Sequence, residues 1–393
     1  MRSPSSLRVG LADVLDPRDV RAGSGASASL LRALEGLVAE VVPLSGALAP
    51  GVARAAHLAS LGARVRPRDL RDPRGAARRA HSAAKLGRPT VAARTLLLRA
   101  GIARAGRLDA IVQRCSDMLL PAGARVVTLE DSTVVQALAS YPWVHLRDLG
   151  ERDVARYVTR QRRVYERAHA CCCATHWVAR SIVEDYGIAR ERVFTVGLGR
   201  NHELAPNPDR DWSEPRYLFV GVDWERKNGA AVLAAFARVR ERHPQARLDL
   251  VGGHPPVRAD GVLAHGPLSL DSREDRGRLA DLYARATTFV MPSLHEPAGL
   301  VYAEAGAAGV PSIGTTDGGA ATMIGPGGVL VDPREPEQLL QAMLELADPR
   351  TARRLGELAR EHAAQLTWRK VAERLLRAMA IPGVELSGLA EFL

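Results

Sequence analysis

The segment Thr287-Thr-Phe-Val-Met-Pro-Ser-Leu-His-Glu-Pro-Ala-Gly-Leu-Val-Tyr-Ala-Glu304 decides the fold. Its apolar start is typical of a buried strand, Pro292 turns the chain, and helical spacing begins at Leu300. Backbone N–H groups at such a helix start form an anion site that suits a phosphate. Glu296 in the loop and Glu304, about two turns along the helix, are then placed to accept hydrogen bonds from sugar hydroxyls on either side of that phosphate. The segment therefore favours a nucleotide-sugar site, although an acid near a helix start also simply complements the helix dipole.

Length and composition indicate a globular protein of two domains. The chain has 393 residues, 46% of them apolar, and no apolar run approaches the roughly 20 residues of a membrane span. Its N-terminus lacks the apolar core of a signal peptide. Three of the four cysteines, Cys171 to Cys173, are consecutive in an apparent strand, where neighbours point to opposite faces and do not converge on a metal. We expect a reduced, cytoplasmic protein without a metal site.

Positive charge is concentrated in residues 51–107, which carry thirteen Arg, one Lys and two Asp, a local charge of +12 in a chain of +10. A genome that favours Arg codons would explain why arginine is used in place of lysine, but it would not explain why this segment has so few acidic residues. The pattern predicts a basic surface for an anionic acceptor or for peripheral contact with the inner face of an anionic membrane. Nucleic acid is not expected as a partner, because this segment has no aromatic side chain on which bases could stack.

The chain alternates strand-like and helix-like segments, which predicts an α/β protein of two doubly wound Rossmann-like domains facing a cleft. The predicted organisation is an N-terminal acceptor-binding domain (1–200), a linker (201–215), a C-terminal nucleotide-sugar-binding domain (216–366), and a last helix (367–393) that crosses back to the N-terminal domain. The candidate strands are Leu7–Ala12, Val41–Leu44, Ala110–Arg114, Val126–Leu129, Ala170–Ala174, Val193–Val196, Tyr217–Val222, Leu248–Val251, Thr287–Met291, Pro311–Ile313 and Val329–Val331.

Two adjacent cations, Arg226 and Lys227, follow the candidate strand Tyr217–Val222. At the carboxyl end of a strand they would neutralise a diphosphate leaving group, which departs only if its developing charge is stabilised. A basic pair on the surface is the plain alternative. Lys227 is one of only three lysines in the chain, which favours a specific role.

Glycine-rich loops occur at three further places. Ser24 and Gly25 belong to a loop that starts a helix after the first strand, and its small residues permit close approach of a ligand to the backbone. An NAD site is not expected there, because no acid ends the second strand. The stretch from Leu248 through His265 and Gly266 predicts a strand–turn–strand with exposed backbone suited to reading a base, and the loop Asp317–Ala320 lies at the same sheet edge.

In this order, the motifs resemble those of the retaining glycosyltransferases of family 4, which have the GT-B fold. The C-terminal half carries the stronger resemblance and the N-terminal half a looser one. The matching residues are Phe219–Gly221, Lys227, Asp249–Gly253, Met291–Ser293, Glu296 to Glu304, Ala308–Pro311, Gly328–Val331, Ser24–Gly25, Thr175–Trp177 and Asp185–Ile188.

The resemblance implies a role for each matching residue. Glu296 would contact donor-sugar hydroxyls at the reacting face, Glu304 would hold the ribose, and Lys227 would bind the diphosphate. The remaining donor-binding positions are Gly299, Leu300, Gly25, Ser24, Gly221, His265 and Gly266. The family transfers the sugar with retention, by front-face attack, and needs neither metal nor cofactor, so the nucleotide-diphospho-sugar is a co-substrate.

The sequence departs from the family pattern at two places. The family usually has Arg directly after the glycine of the strand Phe219–Gly221, whereas this chain has Val222, and Arg226 is the candidate replacement. The family often has His-Asp after an N-terminal strand, whereas this chain has Glu130-Asp131, so Asp131 is the candidate catalytic residue there.

Two other functions remain open at the level of sequence. A nucleotide-sugar 2-epimerase of the same shape would need carboxylates and a histidine around the sugar, with His265 and His295 available. A non-catalytic scaffold would dock to membranes through its Arg-rich segment. The donor base, the sugar, the oligomeric state and the acceptor, whether small molecule, glycan or lipid-linked, are not determined by sequence.

Overall fold

The computed structural model describes residues 2–20, 25–61, 87–114, 116, 118–140, 150–269 and 271–393. Ser24 and residues 62–86 of the Arg-rich segment lie outside the described residues. The chain divides into two compact units. The first unit comprises Met1–Val196 and Trp368–Leu393, and the second unit comprises Gly197–Thr367.

The first unit is built on a six-stranded parallel sheet in the order β2-β1-β3-β4-β5-β6. Its strands are β1 (Arg8–Asp13), β2 (Glu40–Ser45), β3 (Ala110–Arg114), β4 (Val126–Glu130), β5 (Ala170–Cys173) and β6 (Val193–Thr195). Its helices before the second unit are α1 (Ala26–Glu35), α2 (Pro50–Leu61), α3 (Arg88–Ala105), α4 (Val134–Ser140), α5 (Glu151–Arg167) and α6 (His176–Glu184).

The second unit is built on another six-stranded parallel sheet, in the order β12-β11-β10-β7-β8-β9. Its strands are β7 (Arg216–Gly221), β8 (Arg247–Gly252), β9 (Val262–Gly266), β10 (Thr288–Val290), β11 (Ser312–Thr315) and β12 (Gly328–Val331). Its helices are α7 (Gly229–Arg242), α8 (Arg273–Arg285), α9 (Leu300–Ala307), α10 (Ala320–Ile324), α11 (Pro336–Glu345) and α12 (Pro349–Ala363).

Burial explains why the strand predictions succeeded. Strands of a parallel sheet are covered on both faces and therefore read as continuous apolar runs. Every residue of β4, β5 and β10 is buried. The order of strands reverses between β1 and β3 in the first sheet and between β10 and β7 in the second, which makes each sheet doubly wound with one switch point. The predicted fold class of two Rossmann-like domains is confirmed.

The three consecutive cysteines form most of β5. Cys171, Cys172 and Cys173 are completely buried and carry free thiols. Burial raises the pKa of the Cys171 thiol to about 12 and raises the pKa of the other two thiols well above the ordinary value. The three side chains are therefore packing groups of the first unit.

Residues 201–215, which the sequence assigned to a linker, are part of the second unit. Arg210 explains the difference, because its guanidinium is only 7% exposed. It donates hydrogen bonds to the carbonyls of Tyr283 and Ala284 at the end of α8, and to those of Ala308 and Gly309 after α9. A segment that caps two helix ends in this way is packed into its unit.

The last helix, α13 (Trp368–Met379), returns to the first unit. It buries Val371, Leu375, Leu376 and Met379. Arg374 on the same helix is 1% exposed and donates to the carbonyl of Val196 at 3.1 Å. Among the described residues, no helix combines the length and the apolar character that crossing a bilayer would require.

Candidate active site

The switch point of the second sheet carries three of the four predicted catalytic residues, Glu296, Lys227 and Arg226. The loop after β7 holds Arg226 and Lys227, and the loop after β10 holds Glu296 and leads into α9. β7 and β10 are neighbours in the sheet, so their carboxyl ends bring the two loops together. Ligands of doubly wound sheets bind at this position.

The Glu296 carboxylate is the centre of this cluster. Its Oε2 atom accepts a hydrogen bond from Lys227 Nζ, lies 3.6 Å from Arg226 Nη1, and accepts from Ser293 Oγ at 3.3 Å. Glu296 is 5% exposed and Lys227 is 8% exposed. Two cations lie beside this carboxylate, and a second carboxylate, that of Asp223, lies 3.6 Å from Arg226 Nε. The ammonium and guanidinium groups are suited to binding an anionic ligand.

The backbone of Glu296 is held by the loop that follows β11. Glu296 N donates to the carbonyl of Asp317 at 3.2 Å, and Gly319 N donates to the carbonyl of Glu296 at 2.8 Å. Gly318 has φ of +109°, and a Cβ atom there would lie 2.0 Å from the Glu296 carbonyl oxygen. Only glycine fits this close approach. The glycine loop Asp317–Ala320 therefore positions Glu296.

The cation-bearing loop is fixed at both of its ends. Lys227 N donates to the carbonyl of Asp223, and Leu294 N donates to the carbonyl of Arg226, both at 2.9 Å. A Cβ atom on Gly221 would lie 2.9 Å from Cγ of Lys227, so this glycine gives the lysine stem its room. Burial lowers the pKa of Lys227, and the nearby Glu296 carboxylate opposes that shift.

At the position after Gly221, where the family usually has an arginine, this chain has Val222, and Arg226 is the candidate replacement. Val222 is 87% exposed and contributes nothing to the cluster. Arg226 Nη1 also donates to the carbonyl of His295 at 3.3 Å. The guanidinium of Arg226 thus reaches the carboxylate of Glu296 from a different backbone position than the one usual in the family.

The start of α9 lies beside this cluster. Gly299 has φ of +84° and precedes Leu300, and no side chain caps this helix start. A Cβ atom at Gly299 would lie 2.5 Å from the ring of Tyr302. That ring is buried, and its hydroxyl donates to the carbonyl of Met291 at 2.7 Å. The uncapped N-terminus provides backbone donors and a positive dipole end for an anion.

Glu304 lies in the second turn of α9, nearer the helix start than the predicted two turns. It is 5% exposed, and burial raises the pKa of its carboxyl group to about 8. The Tyr283 hydroxyl at 3.5 Å and a backbone N–H of Asn201 donate to it, and His202 Nε2 lies 3.8 Å away. The segment that was predicted as a linker therefore lines the surroundings of Glu304.

His265 and Gly266 lie at the end of β9. His265 Nε2 is 2.6 Å from Asp249 Oδ1 on the neighbouring strand. The backbone N–H of Gly266, predicted to read a base, donates to His254 Nε2 at 3.2 Å. Sequence reasoning missed His254, although it directly follows the pair Gly252-Gly253.

His295 is a buried structural residue. It is fully buried, and its Nδ1 atom lies 3.0 Å from Asp317 Oδ1. Burial lowers the pKa of His295, while the Asp317 carboxylate opposes that shift. This geometry ties the loop of Glu296 to the glycine loop.

The first unit contains the remaining predicted residues. Gly25, with φ of +77°, precedes α1, and Asp131 is exposed directly after β4. Asp131 and Gly25 belong to the first unit, whereas the Glu296 cluster belongs to the second unit. Beside Asp131, the Glu130 side chain at the end of β4 is only 6% exposed.

A polar cluster that sequence reasoning missed lies at the switch point of the first sheet. Ser27 Oγ on α1 donates to Asp13 at the end of β1 and accepts from Arg114 at the end of β3. Arg114 Nη1 also lies 3.8 Å from Asp13 Oδ2. The signal in the sequence was a charged residue ending each of two buried strands.

No cluster of three or more potential metal ligands occurs among the residues that the structure describes. The positive groups at the Glu296 cluster are Lys227, Arg226 and the start of α9. Such a set binds phosphate groups and stabilises negative charge that develops on them.

Residues 214–348 match the family described as "Glycosyl transferases group 1". This stretch, which lies within the second unit, is therefore similar to the group 1 glycosyl transferases. It contains the whole Glu296 cluster, α9, Glu304 and His265.

The chain is also similar in sequence to named enzymes. The chain is 30% identical over 224 residues to a D-inositol 3-phosphate glycosyltransferase of Nocardiopsis dassonvillei, covering 50% of this chain and 52% of that protein. It is 35% identical over 240 residues to the enzyme of the same name from Corynebacterium urealyticum, covering 53% and 56%. The chain spans about half the length of the curated relatives that it matches.

The similarity in structure covers more of the chain than residues 214–348. The sucrose-phosphate synthase of Thermosynechococcus elongatus superimposes with a TM-score of 0.65 at 20% identity, over 94% of this chain and 98% of that one. The likeness shows the fold, with the two Rossmann-like domains of GT-B glycosyltransferases. The predicted resemblance to this group of enzymes is confirmed.

Proposed function

We propose that the protein is a retaining glycosyltransferase that moves a sugar from a nucleotide-diphospho-sugar donor to an acceptor hydroxyl. The observation that carries the proposal is the buried Glu296 carboxylate between Lys227 and Arg226, beside the uncapped start of α9. It combines one group that accepts hydrogen bonds from a sugar with several that bind a diphosphate. This combination lies inside the stretch that is similar to the group 1 glycosyl transferases.

The donor occupies the second unit in this proposal. Lys227, Arg226 and the N–H groups of Gly299 and Leu300 bind the diphosphate. Glu304 accepts hydrogen bonds from the ribose hydroxyls, and the end of β9 with His265 and Gly266 lies along the base. The close packing of Gly221 against the Lys227 stem supports this assignment, because a side chain there would displace the lysine.

The transfer exchanges one bond at the anomeric carbon for another. The bond from that carbon to the donor phosphate oxygen breaks, and the acceptor oxygen bonds to the same face of the sugar. The acceptor proton passes to the departing phosphate oxygen. Lys227, Arg226 and the positive end of α9 stabilise the charge that develops on the leaving group, so no metal or other cofactor is needed to supply positive charge.

The first unit takes the acceptor and completes the donor site. We assign Ser24 and Gly25 to the donor diphosphate and Asp131 to the reacting face, as the family resemblance implies. The relatives are named for D-inositol 3-phosphate, a phosphorylated polyol. An anionic acceptor, whether free or part of a glycan or lipid, agrees with the excess of arginine in the first unit.

A thermal-shift experiment without metal tests the donor site. The full-length protein is heated with UDP, GDP, ADP or TDP in turn. A ligand at 100 times its dissociation constant stabilises the folded state by about 2.7 kcal/mol, so a selective response to one diphosphate is expected. Absence of any response would reject the proposal and leave a scaffold.

Product analysis tests the reaction. The matching nucleotide-sugar is incubated with and without candidate acceptors, and the anomeric configuration of the product is read by NMR. Retained configuration in an acceptor-dependent product is expected. An inverted product would reject the mechanism, and conversion of the donor to its 2-epimer without acceptor would identify an epimerase.

A further inference from the structure

Two neighbouring helices of the first unit expose large apolar side chains. α2 and α3 pack against each other. On α3, Leu96 is 66% exposed and Leu97 is 38% exposed, and on α2, Val52 is 48% exposed and Leu58 is 61% exposed. The interior side of α3 is provided by Val91 and Leu98. These helices thus have an apolar interior side and further apolar side chains in contact with solvent.

The same helices have only positive charges. Between Glu40 and Asp109, the described residues include six arginines and neither Asp nor Glu: Arg54, Arg88, Arg94, Arg99, Arg104 and Arg107. None of the salt bridges formed among the described residues uses any of the six. Arg54, Arg88, Arg99 and Arg104 are exposed and can meet an anionic partner.

A groove adjoins these exposed leucines. It has a volume of about 410 Å³, runs between β2 and α3, and is lined by Leu44, Leu97, Gly101 and Arg104 among others. The groove has a mixed lining of apolar side chains, Ser45 and the guanidinium of Arg104, which suits a molecule that joins hydrocarbon to phosphate, as a phospholipid does.

We propose that this basic–apolar face, defined by Val52, Leu58, Leu96 and Leu97 with Arg54, Arg88, Arg99 and Arg104, docks the protein on an anionic phospholipid bilayer. At a bilayer the leucines would bury apolar surface at the boundary between headgroups and acyl chains, and the arginines would be attracted to the anionic headgroups. A nucleic acid would find no aromatic side chain on which to stack. Charge complementarity and the exposed leucines together favour a lipid surface.

The inference extends the proposed function without depending on the donor site. A transferase held at a bilayer would meet its acceptor there, so the acceptor class that fits is a lipid-linked hydroxyl. The donor remains a molecule in solution, bound by the second unit.

Co-sedimentation of the full-length protein with lipid vesicles tests the proposal. Vesicles of phosphatidylcholine alone are compared with vesicles that also contain phosphatidylglycerol, at low and at high salt. We expect binding only to the anionic vesicles, weakened by salt because the arginines act electrostatically. Equal binding to both kinds of vesicle, or to neither, would overturn the proposal.

Paired variants locate the contact. The double variant Leu96→Glu with Leu97→Glu is expected to lose vesicle binding. The matched control, Leu263→Glu with Leu330→Glu, changes two leucines of the second unit that are 48% and 37% exposed and should bind as the unchanged protein does. Loss of binding in the control, or unaltered binding in the test variant, contradicts the assigned face.

Arginine variants measure the electrostatic part. Arg88→Gln and Arg104→Gln should each reduce vesicle partitioning about fivefold, the usual contribution of one basic residue near an anionic surface. Arg238→Gln in the second unit, where Arg238 pairs with Glu337, should leave it unchanged. If added RNA competes with the vesicles for the Arg88 and Arg104 side chains, a nucleic-acid surface replaces the lipid one.

The nucleoside diphosphate shift is measured on the same variants. It checks that each variant is folded, and it separates the two proposals. Vesicle binding without any nucleotide response would reject the donor site and keep the docking face. A nucleotide response without vesicle binding would keep the donor site and reject the docking face.

Discussion

Glu296 places a carboxylate in a nearly closed site where Lys227, Arg226 and Ser293 satisfy it. A buried charge is costly without such partners. The partners include two cations, Lys227 and Arg226, which are already in place before the donor arrives. We interpret Glu296 as the group that holds the cations in place and then accepts hydrogen bonds from the sugar.

The first prediction concerns Glu296→Gln. Glutamine keeps the shape but is a weaker acceptor for sugar hydroxyls, and we expect the transfer rate to fall by about a hundredfold or more. Nucleoside diphosphate affinity should stay or rise, because the carboxylate no longer competes for Lys227 and Arg226. Calorimetry and initial rates provide the two measurements, and a loss of nucleotide affinity equal to the loss of rate would contradict the assignment.

The second prediction concerns Lys227→Ala. Removing a charged hydrogen-bond donor to the diphosphate should weaken nucleoside diphosphate binding about tenfold to a hundredfold and lower turnover as well. Lys370→Ala is the control, since Lys370 lies on α13 and is 3.9 Å from Glu373. Binding isotherms for both variants decide the matter. Unchanged affinity in Lys227→Ala would place the diphosphate elsewhere.

The third prediction concerns Glu304, whose folded-state pKa of about 8 lies above its ordinary 4.5. Between those pH values the unfolded chain has lost the proton and the folded chain retains it, so stability falls as pH rises through this window. Glu304→Gln has no such titration. The variant should therefore be more stable than the unchanged protein above pH 8 and lose that advantage near pH 4.5, as thermal unfolding at several pH values would show. A constant difference would rule out the raised pKa.

At the scale of elements, the backbone at the start of α9 requires glycine at position 299. Gly299→Ala forces a side chain into φ of +84° and against the ring of Tyr302, which we expect to cost about 1–3 kcal/mol of stability. In the control Gly277→Ala, within α8 and with nothing within 4 Å of the new Cβ, stability should rise by about 0.5–1 kcal/mol. Urea unfolding compares the two. Equal effects would show that the α9 start is not strained.

The strands were predictable to within one or two residues because parallel strands buried on both faces have continuous apolar sequences. The helices α2 and α3 were not predicted. Their exposed sides carry Leu96, Leu97 and Leu58 where a surface helix normally has polar residues, so the expected two-sided pattern is absent. The same exposed leucines belong to the face that we propose to dock on a bilayer.

The site was predictable where its residues fall within one short motif. Glu296, Gly299 and Glu304 lie on a single loop and helix, and Lys227 follows a strand with a recognisable ending. Contacts between distant segments were not predictable: His254 at the N–H of Gly266, and Arg114 with Ser27 and Asp13, depend on strand order. Sequence spacing does not reveal which strands become neighbours.

At the scale of the whole molecule, the first unit is completed by the end of the chain. α13 supplies Val371, Leu375, Leu376 and Met379 to its core. Four large apolar side chains contribute about 6–12 kcal/mol when buried, which is comparable to the entire stability of a domain. The first unit therefore depends on residues that are synthesised after the second unit.

The fifth prediction follows from this order. A chain ending at Thr367 should have a first unit with exposed apolar surface, detected by binding of a fluorescent dye such as ANS, while the second unit still responds to nucleoside diphosphates. A fragment of residues 197–367 is the control and should show the nucleotide response without dye binding. A truncated chain that melts like the full-length protein would contradict the prediction.

All four cysteines of the chain lie in the first unit, and the second unit has none. Once Cys115 is replaced by serine, the only thiols left are the three of β5, which are fully buried and hard to ionise. An alkylating reagent then modifies the chain only when that strand opens. The rate at which three adducts appear together, measured by mass spectrometry, therefore reports how often β5 in the first unit becomes exposed to solvent.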